Sequence, residues 1–381
     1  MHRNYDVIIV GGGPAGATLA YELASKGIMV LVIEKARLPR YKCCAGGLTV
    51  KAAKLLGTNV DALVDDAISS VIVNFAGDSP YRGDYGETII YTVTREKFDH
   101  ALVKRADEAG AHVLQGLEAR GIEFNNTGVE VLTPAGSFWS QFVAGADGAR
   151  SVVAKAMDVE MNNNHVMGIE TKVLVANKEL AKWQSRIAIY LGRIPGVYAW
   201  VFPKTDYLSI GIACLANKVK DLKSCHREFL DSLNLGHYSI ARWGSSIIPV
   251  CTGQVIVARG RAALLGDAAG LADPLTGEGI YNAVLSAQLA APVIERSLEC
   301  GEARLDDYSN SVNEKIVSEM KTAYMFSRVL TQIPSGFFRL LKRDERAWKG
   351  CCYLLRGDID YSTIKNKIST LGGLYNLVLR R

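Results

Sequence analysis

Several features that would define a simple functional class are missing from this sequence. Its longest uncharged runs, Val7 to Tyr21 and Ile280 to Ile294, are shorter than the roughly 18 to 20 residues that a membrane-spanning helix needs. We therefore expect no transmembrane helix. The first residues also lack the charged start, apolar middle and small-residue cleavage site of a secretory signal peptide, which predicts a cytoplasmic location.

Metal-binding and hydrolytic patterns are missing as well. The eight cysteines form two adjacent pairs, Cys43-Cys44 and Cys351-Cys352, and four single residues, without the C-x-x-C spacing that zinc or thioredoxin-like chemistry uses. The six histidines are scattered, and no Ser-His-Asp or P-loop pattern occurs. We therefore expect reduced thiols, neither metal nor nucleic acid as a ligand, and neither hydrolase nor kinase chemistry.

The composition is that of a folded, enzyme-sized protein. Of the 381 residues, 49% are hydrophobic and 22% are charged, a balance that excludes intrinsic disorder. A chain of this length is too long for one ordinary domain and predicts two or three packed substructures.

Positive charge is concentrated near the end of the chain. From Arg328 onward there are eleven Lys and Arg against four Asp and Glu, so this segment carries the whole positive excess. It also holds apolar side chains such as Phe338, Leu341 and Trp348. Two interpretations are open: the segment lies peripherally on an anionic membrane surface, or it is a helical cap whose apolar side packs on the body of the protein.

A glycine motif near the start predicts dinucleotide binding. Gly11, Gly13 and Gly16 form a G-x-G-x-x-G pattern between a β-branched run and a helix-like segment, and Glu34 ends the next strand. The first glycine permits a tight turn, the second lets a pyrophosphate approach the backbone, and the third lets helix and strand pack closely. The helix N-terminus would donate to the phosphates, and Glu34 would bond the adenosine ribose.

Two later segments favour FAD over NAD as the dinucleotide. Residues 142–151 contain Asp147-Gly148 after a predicted strand, and residues 262–280 contain a second strand followed by Gly266-Asp267 and a Pro- and Gly-rich stretch. These three motifs, in this order, resemble those of the flavin-dependent hydroxylase superfamily of the p-hydroxybenzoate hydroxylase type. The resemblance implies noncovalently bound FAD and redox chemistry.

The same resemblance implies roles for individual residues. Asp267 would bond the flavin ribityl chain, and Pro274 would lie beside the isoalloxazine ring. Residues 277–279 would open a helix that points at the N1 and C2 carbonyl edge, where its dipole would stabilise reduced flavin. Asp147-Gly148 is similar to a motif that touches both FAD and a pyridine nucleotide, and Arg95 matches an arginine near the flavin pyrophosphate.

Within the superfamily the sequence resembles the geranylgeranyl reductases over most of its first 300 residues. Residues 39–48, with Lys42, Cys43-Cys44 and Gly46-Gly47, are similar to that family's lysine, cysteine and paired-glycine segment beside the flavin. Ala45 departs from the pattern, in which the cysteine runs straight into glycines, and either cysteine could face the flavin. Cys44 could protonate a substrate carbon or tune the flavin, although a small buried hydrophobe is the usual role of a free cysteine.

An aromatic strand carries the rest of the resemblance. Tyr198-Ala-Trp200-Val-Phe202-Pro-Lys204 followed by Gly211 is similar to a segment of the geranylgeranyl reductases. Strand periodicity puts Tyr198, Trp200 and Phe202 on one face, where they would form either an aromatic wall for an isoprenoid chain or an ordinary sheet core.

The predicted site therefore combines the cofactor, catalytic and substrate groups named above. The predicted cofactor-binding residues are Gly11, Gly13, Pro14, Ala15, Gly16, Glu34, Lys35, Cys44, Ala45, Gly46, Arg95, Asp147, Gly148, Gly266, Asp267, Pro274, Gly277, Glu278, Gly279 and Ile280. Cys44, Tyr198 and Trp200 are the predicted catalytic residues, and Tyr198, Trp200 and Phe202 the predicted substrate-binding residues.

The predicted fold is α/β, with a discontinuous Rossmann-like FAD-binding domain in residues 1–70, 91–160 and 251–300. Residues 71–90 and 161–250, with strands rich in Tyr, Trp and Ile, would form an antiparallel substrate-binding sheet, and residues 301–381 a C-terminal helical region.

The leading functional hypothesis is an FAD-dependent reductase that saturates carbon-carbon double bonds of a geranylgeranyl or other polyprenyl group in a lipid or isoprenoid. NAD(P)H or reduced ferredoxin would supply the electrons, and Cys44, a nearby tyrosine or water the proton. An FAD-dependent aromatic monooxygenase uses the same fold and most of the same motifs. A membrane-associated flavin-binding protein without catalysis is the third alternative.

Overall fold

A computed structural model describes residues 4–76, 78–159, 165–192, 197–215 and 221–370. The strands are β1 (Asn4–Val10), β2 (Val30–Glu34), β3 (Gly47–Thr49), β4 (Val64–Ile68), β5 (Ser70–Phe75), β6 (Tyr81–Asp84), β7 (Ile90–Val93), β8 (His112–Gln115), β9 (Gly121–Phe124), β10 (Val129–Thr133), β11 (Gly136–Gly145), β12 (His165–Val175), β13 (Arg186–Leu191), β14 (Val197–Pro203), β15 (Leu208–Leu215), β16 (Tyr238–Pro249), β17 (Ala258–Arg259) and β18 (Ala262–Leu264). The α-helices are α1 (Pro14–Ala24), α2 (Val50–Leu55), α3 (Arg95–Glu108), α4 (Val152–Ala156), α5 (Asn177–Leu180), α6 (Leu222–Ser232), α7 (Ile280–Cys300), α8 (Asp306–Val312), α9 (Ser318–Gln332), α10 (Pro334–Arg343), α11 (Glu345–Arg356) and α12 (Tyr361–Thr370).

These elements confirm the predicted α/β class with parallel and antiparallel sheets and a helical C-terminal region. The chain divides into two compact units. The first comprises residues 1–41, 95–164 and 248–320, and the second residues 42–94, 165–247 and 321–381. Residues 42–70, assigned above to the FAD-binding domain, fall in the second unit because β3 and β4 pair with β7. Residues 371–381 of the predicted helical region lie outside the described residues.

The first unit is built on a sheet with the order β17-β18-β11-β1-β2-β8, to which the hairpin strands β9 and β10 are joined at β11. β1 runs parallel to β2 and to β11, and β11 runs parallel to β18. The middle strands are short apolar runs buried on both faces, the pattern of a parallel sheet covered by helices. The carboxyl ends of β2, β1, β11 and β18 therefore meet at one edge of the sheet.

The second unit contains a sheet with the order β16-β12-β15-β14-β13-β5-β6 and a small sheet with the order β3-β7-β4. Within the larger sheet, β13 and β5 are parallel, whereas the pairs β12–β15, β13–β14, β14–β15 and β5–β6 are antiparallel. β12 to β16 coincide with the run of strands that the sequence predicted between residues 161 and 250.

The apolar faces of α10 and α11 pack within the second unit. Phe338 and Leu341 of α10 and Trp348 and Cys352 of α11 are buried in the same core cluster as Trp200. Trp348 also donates a hydrogen bond from Nε1 to the carbonyl oxygen of Asp84 at 3.1 Å. For these two helices the helical-cap interpretation of the basic segment is the one observed. Among the described residues, no helix is both long and apolar enough to cross a membrane.

Candidate functional site

The glycine turn after β1 is closed by backbone contacts that leave no room for side chains. Gly11 has φ of +106°, and a Cβ atom there would lie 2.4 Å from the carbonyl oxygen of Ala146. A Cβ at Gly16 would lie 1.9 Å from the carbonyl oxygen of Gly11. α1 begins directly after Gly13, with Pro14 in its first turn and no side-chain cap. The uncapped start of α1 directly after this turn is compatible with the predicted phosphate contact, which stays a prediction.

Glu34 stabilises the glycine turn directly. Its buried carboxylate accepts a hydrogen bond from the Gly12 amide at 2.7 Å and another from the Ala36 amide at 2.9 Å. Arg40 Nε lies 3.5 Å from the Glu34 Oε1 atom. The carboxylate that the sequence assigned to the ribose therefore also fixes the turn, and the ribose contact stays a prediction.

Two arginines meet at Asp99, a residue that the sequence analysis missed. Arg95 donates from Nε and Nη2 to the two Asp99 carboxylate oxygens at 2.7 and 2.9 Å, and Arg40 donates from Nη1 at 3.1 Å. Asp99 is fully buried, and a Cβ at Gly13 would lie 3.9 Å from Arg40 Nη2. Arg95 and Asp99 are four residues apart on α3, which was the available signal for their pairing. The cluster places guanidinium charge beside the glycine turn, where a pyrophosphate would be favoured.

Asp147 follows β11 at the same edge of the sheet. Its Oδ2 atom accepts a hydrogen bond from the Val152 amide at 2.7 Å. Its Oδ1 atom is buried and has no hydrogen-bond partner among the described residues. Burial raises the pKa of the Asp147 carboxyl above its ordinary value. A buried oxygen without a partner is costly unless a ligand satisfies it, so this position fits a hydroxyl of bound FAD.

The third motif brings Asp267 to the start of α7. Gly266 has φ of +52°, and a Cβ there would meet Ala283 of α7 at 3.0 Å. An Oδ1 atom of Asp267 lies 3.2 Å from the position that a Gly279 Cβ would occupy. Before the helix, the Asp273 carboxylate accepts hydrogen bonds from two backbone amides in the turn that follows it. α7 then begins after Gly279 without a side-chain cap.

The predicted cofactor residues of the first unit are thus carried by one parallel sheet and the turns that follow its strands. They are Gly11, Gly13, Pro14, Ala15, Gly16, Glu34, Lys35, Arg95, Asp147, Gly148, Gly266, Asp267, Pro274, Gly277, Glu278, Gly279 and Ile280. The tight turn, the uncapped helix starts, the arginine cluster and the unsatisfied Asp147 oxygen all fit an FAD molecule. This geometry defines the class: a Rossmann-like dinucleotide-binding protein.

The other predicted site residues, Cys44, Ala45, Gly46, Tyr198, Trp200 and Phe202, belong to the second unit. Gly46 has φ of +68°, and its amide donates to Cys44 Sγ at 3.3 Å. Its carbonyl oxygen accepts from the Val93 amide at 2.8 Å and from Lys204 Nζ at 3.3 Å. The Cys44 thiol therefore lies next to the Gly46 amide. It is also close enough to Tyr198 and Lys204 to interact with them electrostatically.

Lys204 ends the aromatic motif but was not among the predicted site residues. Its side chain is buried, with 4% exposure, and its Nζ donates to the Val93 carbonyl oxygen at 2.8 Å as well as to Gly46. Burial lowers the pKa of Lys204 to about 8. The sequence position alone gave no sign that this lysine would be buried.

The aromatic residues of β14 pack as one face. The Tyr198 and Trp200 ring centroids are 5.8 Å apart, and a Cβ at Gly211 would lie 2.1 Å from the Trp200 ring. A Cβ at Gly47 would lie 3.0 Å from the Phe202 ring. Trp200 Nε1 is buried without a hydrogen-bond partner among the described residues, and burial raises the pKa of Tyr198 to about 12. The shared face follows the predicted periodicity, whereas its role in substrate binding stays a prediction.

Comparison with known proteins identifies the family. Residues 4–203 match the family model described as an FAD binding domain. A digeranylgeranylglycerophospholipid reductase of Methanococcoides burtonii is 31% identical over 335 residues, which cover 83% of this chain and 79% of that protein. A chloroplastic geranylgeranyl diphosphate reductase of Nicotiana tabacum is 28% identical over 88% of this chain and 75% of that protein.

A solved structure shares the fold. The geranylgeranyl bacteriochlorophyll reductase-like protein of Thermoplasma acidophilum superimposes with a TM-score of 0.82 at 22% identity, covering 92% of this chain and 96% of that one. The chain belongs to the geranylgeranyl reductase family of FAD-dependent oxidoreductases.

The Gly11→Ala variant is expected to lose FAD, because the added methyl group meets the Ala146 carbonyl and the turn must open. Gly27→Ala is the matched control, since Gly27 also has positive φ, of +80°, but nothing lies within 4 Å of its added Cβ. The control should keep FAD and lose about 1 kcal/mol of stability from backbone strain. FAD released by denaturation and measured by absorbance reads out both variants; full FAD occupancy in Gly11→Ala would contradict the assignment of this turn.

The buried Lys204 ammonium predicts a pH dependence of stability. Because the pKa of Lys204 is lowered to about 8 from 10.5, the unfolded chain binds more protons between these values, and the wild type becomes more stable as pH rises through this window. Relative to Lys204→Met, the wild-type unfolding free energy should rise by up to about 3 kcal/mol from pH 8 to 10.5. Urea unfolding measures it, with the exposed Lys182→Met as control. A pH-independent difference would show that folding does not lower the pKa of the Lys204 amine.

Proposed function

We propose that this protein uses bound FAD to saturate carbon-carbon double bonds of a geranylgeranyl or other polyprenyl group in a lipid or isoprenoid substrate. The observation that carries the proposal is the meeting of two distant segments in the second unit. The Cys44 to Gly47 turn packs against the ring of Phe202 on β14 and accepts a hydrogen bond from Lys204, which follows the strand. A reactive turn next to an aromatic strand suits an apolar chain with a reducible bond.

When bound, reduced FAD supplies a hydride to the double bond. Tyr198, Trp200 and Phe202 bind the apolar chain through their rings and exclude bulk water from it. Cys44 lies at the turn beside this face and acts on the reacting bond or on the flavin. The glycine-rich dinucleotide motif occurs once in the sequence, so NAD(P)H or reduced ferredoxin, the proposed electron donors, would bind transiently. The relatives' names, which refer to geranylgeranyl diphosphate and to a digeranylgeranyl phospholipid, support a polyprenyl substrate.

A lipid substrate would be met at the inner face of the membrane. The apolar faces of α10 and α11 are buried, whereas Arg339, Lys342 and Arg343 of α10 and Arg346 and Lys349 of α11 are exposed. These basic side chains are the proposed contact with an anionic surface.

The substrate assignment is tested by anaerobic turnover. The purified yellow protein is reduced with dithionite, mixed with a geranylgeranyl lipid in vesicles, and the product is examined by mass spectrometry. Gain of two hydrogens per reduced bond is expected, faster from anionic than from neutral vesicles. Oxygen-dependent addition of one oxygen atom to an aromatic acid would instead identify a monooxygenase, and a flavin that supports neither reaction would leave a non-catalytic binding protein.

Trp200→Ala and Cys44→Ala should both keep the flavin absorption spectrum and lower the rate of polyprenyl reduction. Trp200→Ala removes a large ring from the proposed chain-binding face, so its effect should grow with chain length. Single-turnover rates with a short and a long polyprenyl substrate measure this. If Trp200→Ala reduces the long substrate as fast as the wild type, the aromatic face does not bind the chain.

A further inference from the structure

A cavity of about 400 Å³ opens in the first unit, apart from the residues predicted to bind FAD. It lies between the turn that joins β9 to β10, the end of α4 and the turn that joins β17 to β18. We call it the arginine cavity, because Arg259 and Arg261 are among its lining residues. Its volume falls within the roughly 300 to 1,000 Å³ of small-molecule sites. None of its lining residues was predicted to belong to a site, so FAD binding does not account for the cavity.

The arginine cavity lies toward the amino ends of the parallel strands. Val129, which follows the turn between β9 and β10, pairs with Ser140 of β11, and Ser140 pairs with Tyr5 at the start of β1. Arg261 directly precedes β18. Gly11 follows the opposite end of β1, and the six strand residues between these two levels span about 20 Å. A ligand in the cavity therefore takes no direct part in hydride transfer at the predicted FAD site.

Both arginines of the cavity are held by backbone carbonyl groups. Arg259 Nη1 donates to the Met157 carbonyl oxygen, and Arg261 Nη1 donates to that of Gln141 at 3.3 Å. The Arg261 guanidinium also lies 5.8 Å from the centre of the Phe142 ring. Each guanidinium has five N–H donors, and among the described residues no carboxylate lies within ion-pair distance of either one. Two oriented positive charges with spare donors therefore line one cavity.

The remaining wall of the cavity is partly apolar. Phe124, at the end of β9, is 42% exposed, and Met157 forms a buried part of the lining together with Ala156 at the end of α4. An exposed aromatic ring can stack on any planar ring, because stacking does not depend on a particular hydrogen-bonding pattern. The lining thus suits a ligand with a planar ring at one end and an anion at the other.

We propose that the arginine cavity binds a mononucleotide, whose phosphate is held by Arg259 and Arg261 and whose base stacks on Phe124. Guanidinium groups match the geometry of phosphate oxygens and bind them through paired hydrogen bonds. A phosphate monoester carries about two negative charges at neutral pH, which match two guanidinium groups, whereas a carboxylate carries one. The proposal concerns a second site and does not depend on the proposed reductase function.

Asp158 is the one acidic side chain in the lining. It is exposed, has φ of +54° and makes no ion pair with either arginine. With Arg259 and Arg261 it leaves the lining a formal charge of +2 − 1 = +1. Its carboxylate therefore repels a bound phosphate, and removing that charge strengthens binding. Asparagine also adopts positive φ readily, so Asp158→Asn is compatible with the backbone at this position.

The first test measures binding by isothermal titration calorimetry. The protein is loaded with FAD, so that an adenine nucleotide cannot enter the predicted adenosine site. Adenosine monophosphate is expected to bind more tightly than either inorganic phosphate or adenosine, and its affinity should fall as NaCl is raised. Equal affinities for adenosine monophosphate and inorganic phosphate would overturn the base contact, and with it the nucleotide assignment. Undetectable binding of adenosine monophosphate at millimolar concentration would overturn the proposal as a whole.

The second test locates the bound nucleotide. Arg261→Gln and Phe124→Ala should each weaken the binding of adenosine monophosphate about 10-fold or more. Arg296→Gln is the matched control, because Arg296 is an arginine of the same unit that pairs with Asp307 outside the cavity. The FAD content of each variant reports whether the unit is folded. Wild-type affinity in a folded Arg261→Gln variant would show that the nucleotide binds elsewhere.

The third test predicts a change of the opposite sign. Asp158→Asn should tighten the binding of adenosine monophosphate roughly five-fold, because it removes the negative charge from the lining. Misfolding cannot produce such a gain in affinity. An affinity in Asp158→Asn that equals or falls below that of the wild type would overturn the assignment of the phosphate to this cavity.

Discussion

The parallel register of β2, β1, β11 and β18 is the constraint on which the first unit depends. Val10 is paired with Ile33 and with Gly145, and Gly145 is paired with Leu264, so four strands end at one level. The segments that follow these strands lie close together. A side chain at Gly11 or Gly16 would therefore collide with neighbouring backbone atoms. The groups of this unit that are predicted to bind FAD are brought together by strand pairing and not by proximity in sequence.

Charged residues near this edge of the sheet hydrogen-bond to one another or to the backbone. Glu34 accepts from two backbone amides, and Asp99 accepts from both Arg40 and Arg95. The oxygens of a buried carboxylate are costly to leave without such donors. Asp99 holds the two guanidinium groups in place, so a pyrophosphate bound there as predicted would require little further ordering of them.

Local patterns predicted the parts of the site that depend on backbone geometry. The G-x-G-x-x-G spacing predicted the turn, and strand periodicity predicted the common face of Tyr198, Trp200 and Phe202. Contacts between distant residues had no such signal: Arg40 reaches Asp99 across 59 positions, and Lys204 reaches Gly46 across 158. The basic segment was ambiguous for a related reason, because an amphipathic helix has the same pattern whether it faces a membrane or a protein core.

At Lys204 the local sequence pattern and the contacts with distant residues lead to different expectations. As a residue following an aromatic strand it looks like an ordinary solvent-facing lysine, which is the usual fate of the residue type. It is instead buried, and its amine donates to the carbonyl oxygens of Gly46 and Val93, which adjoin the paired strands β3 and β7. Methionine in its place would relieve the cost of desolvating a charge but would leave those carbonyls with fewer donors. The buried amine is retained because it satisfies two buried carbonyl oxygens, a contact between distant residues that no local sequence pattern announces.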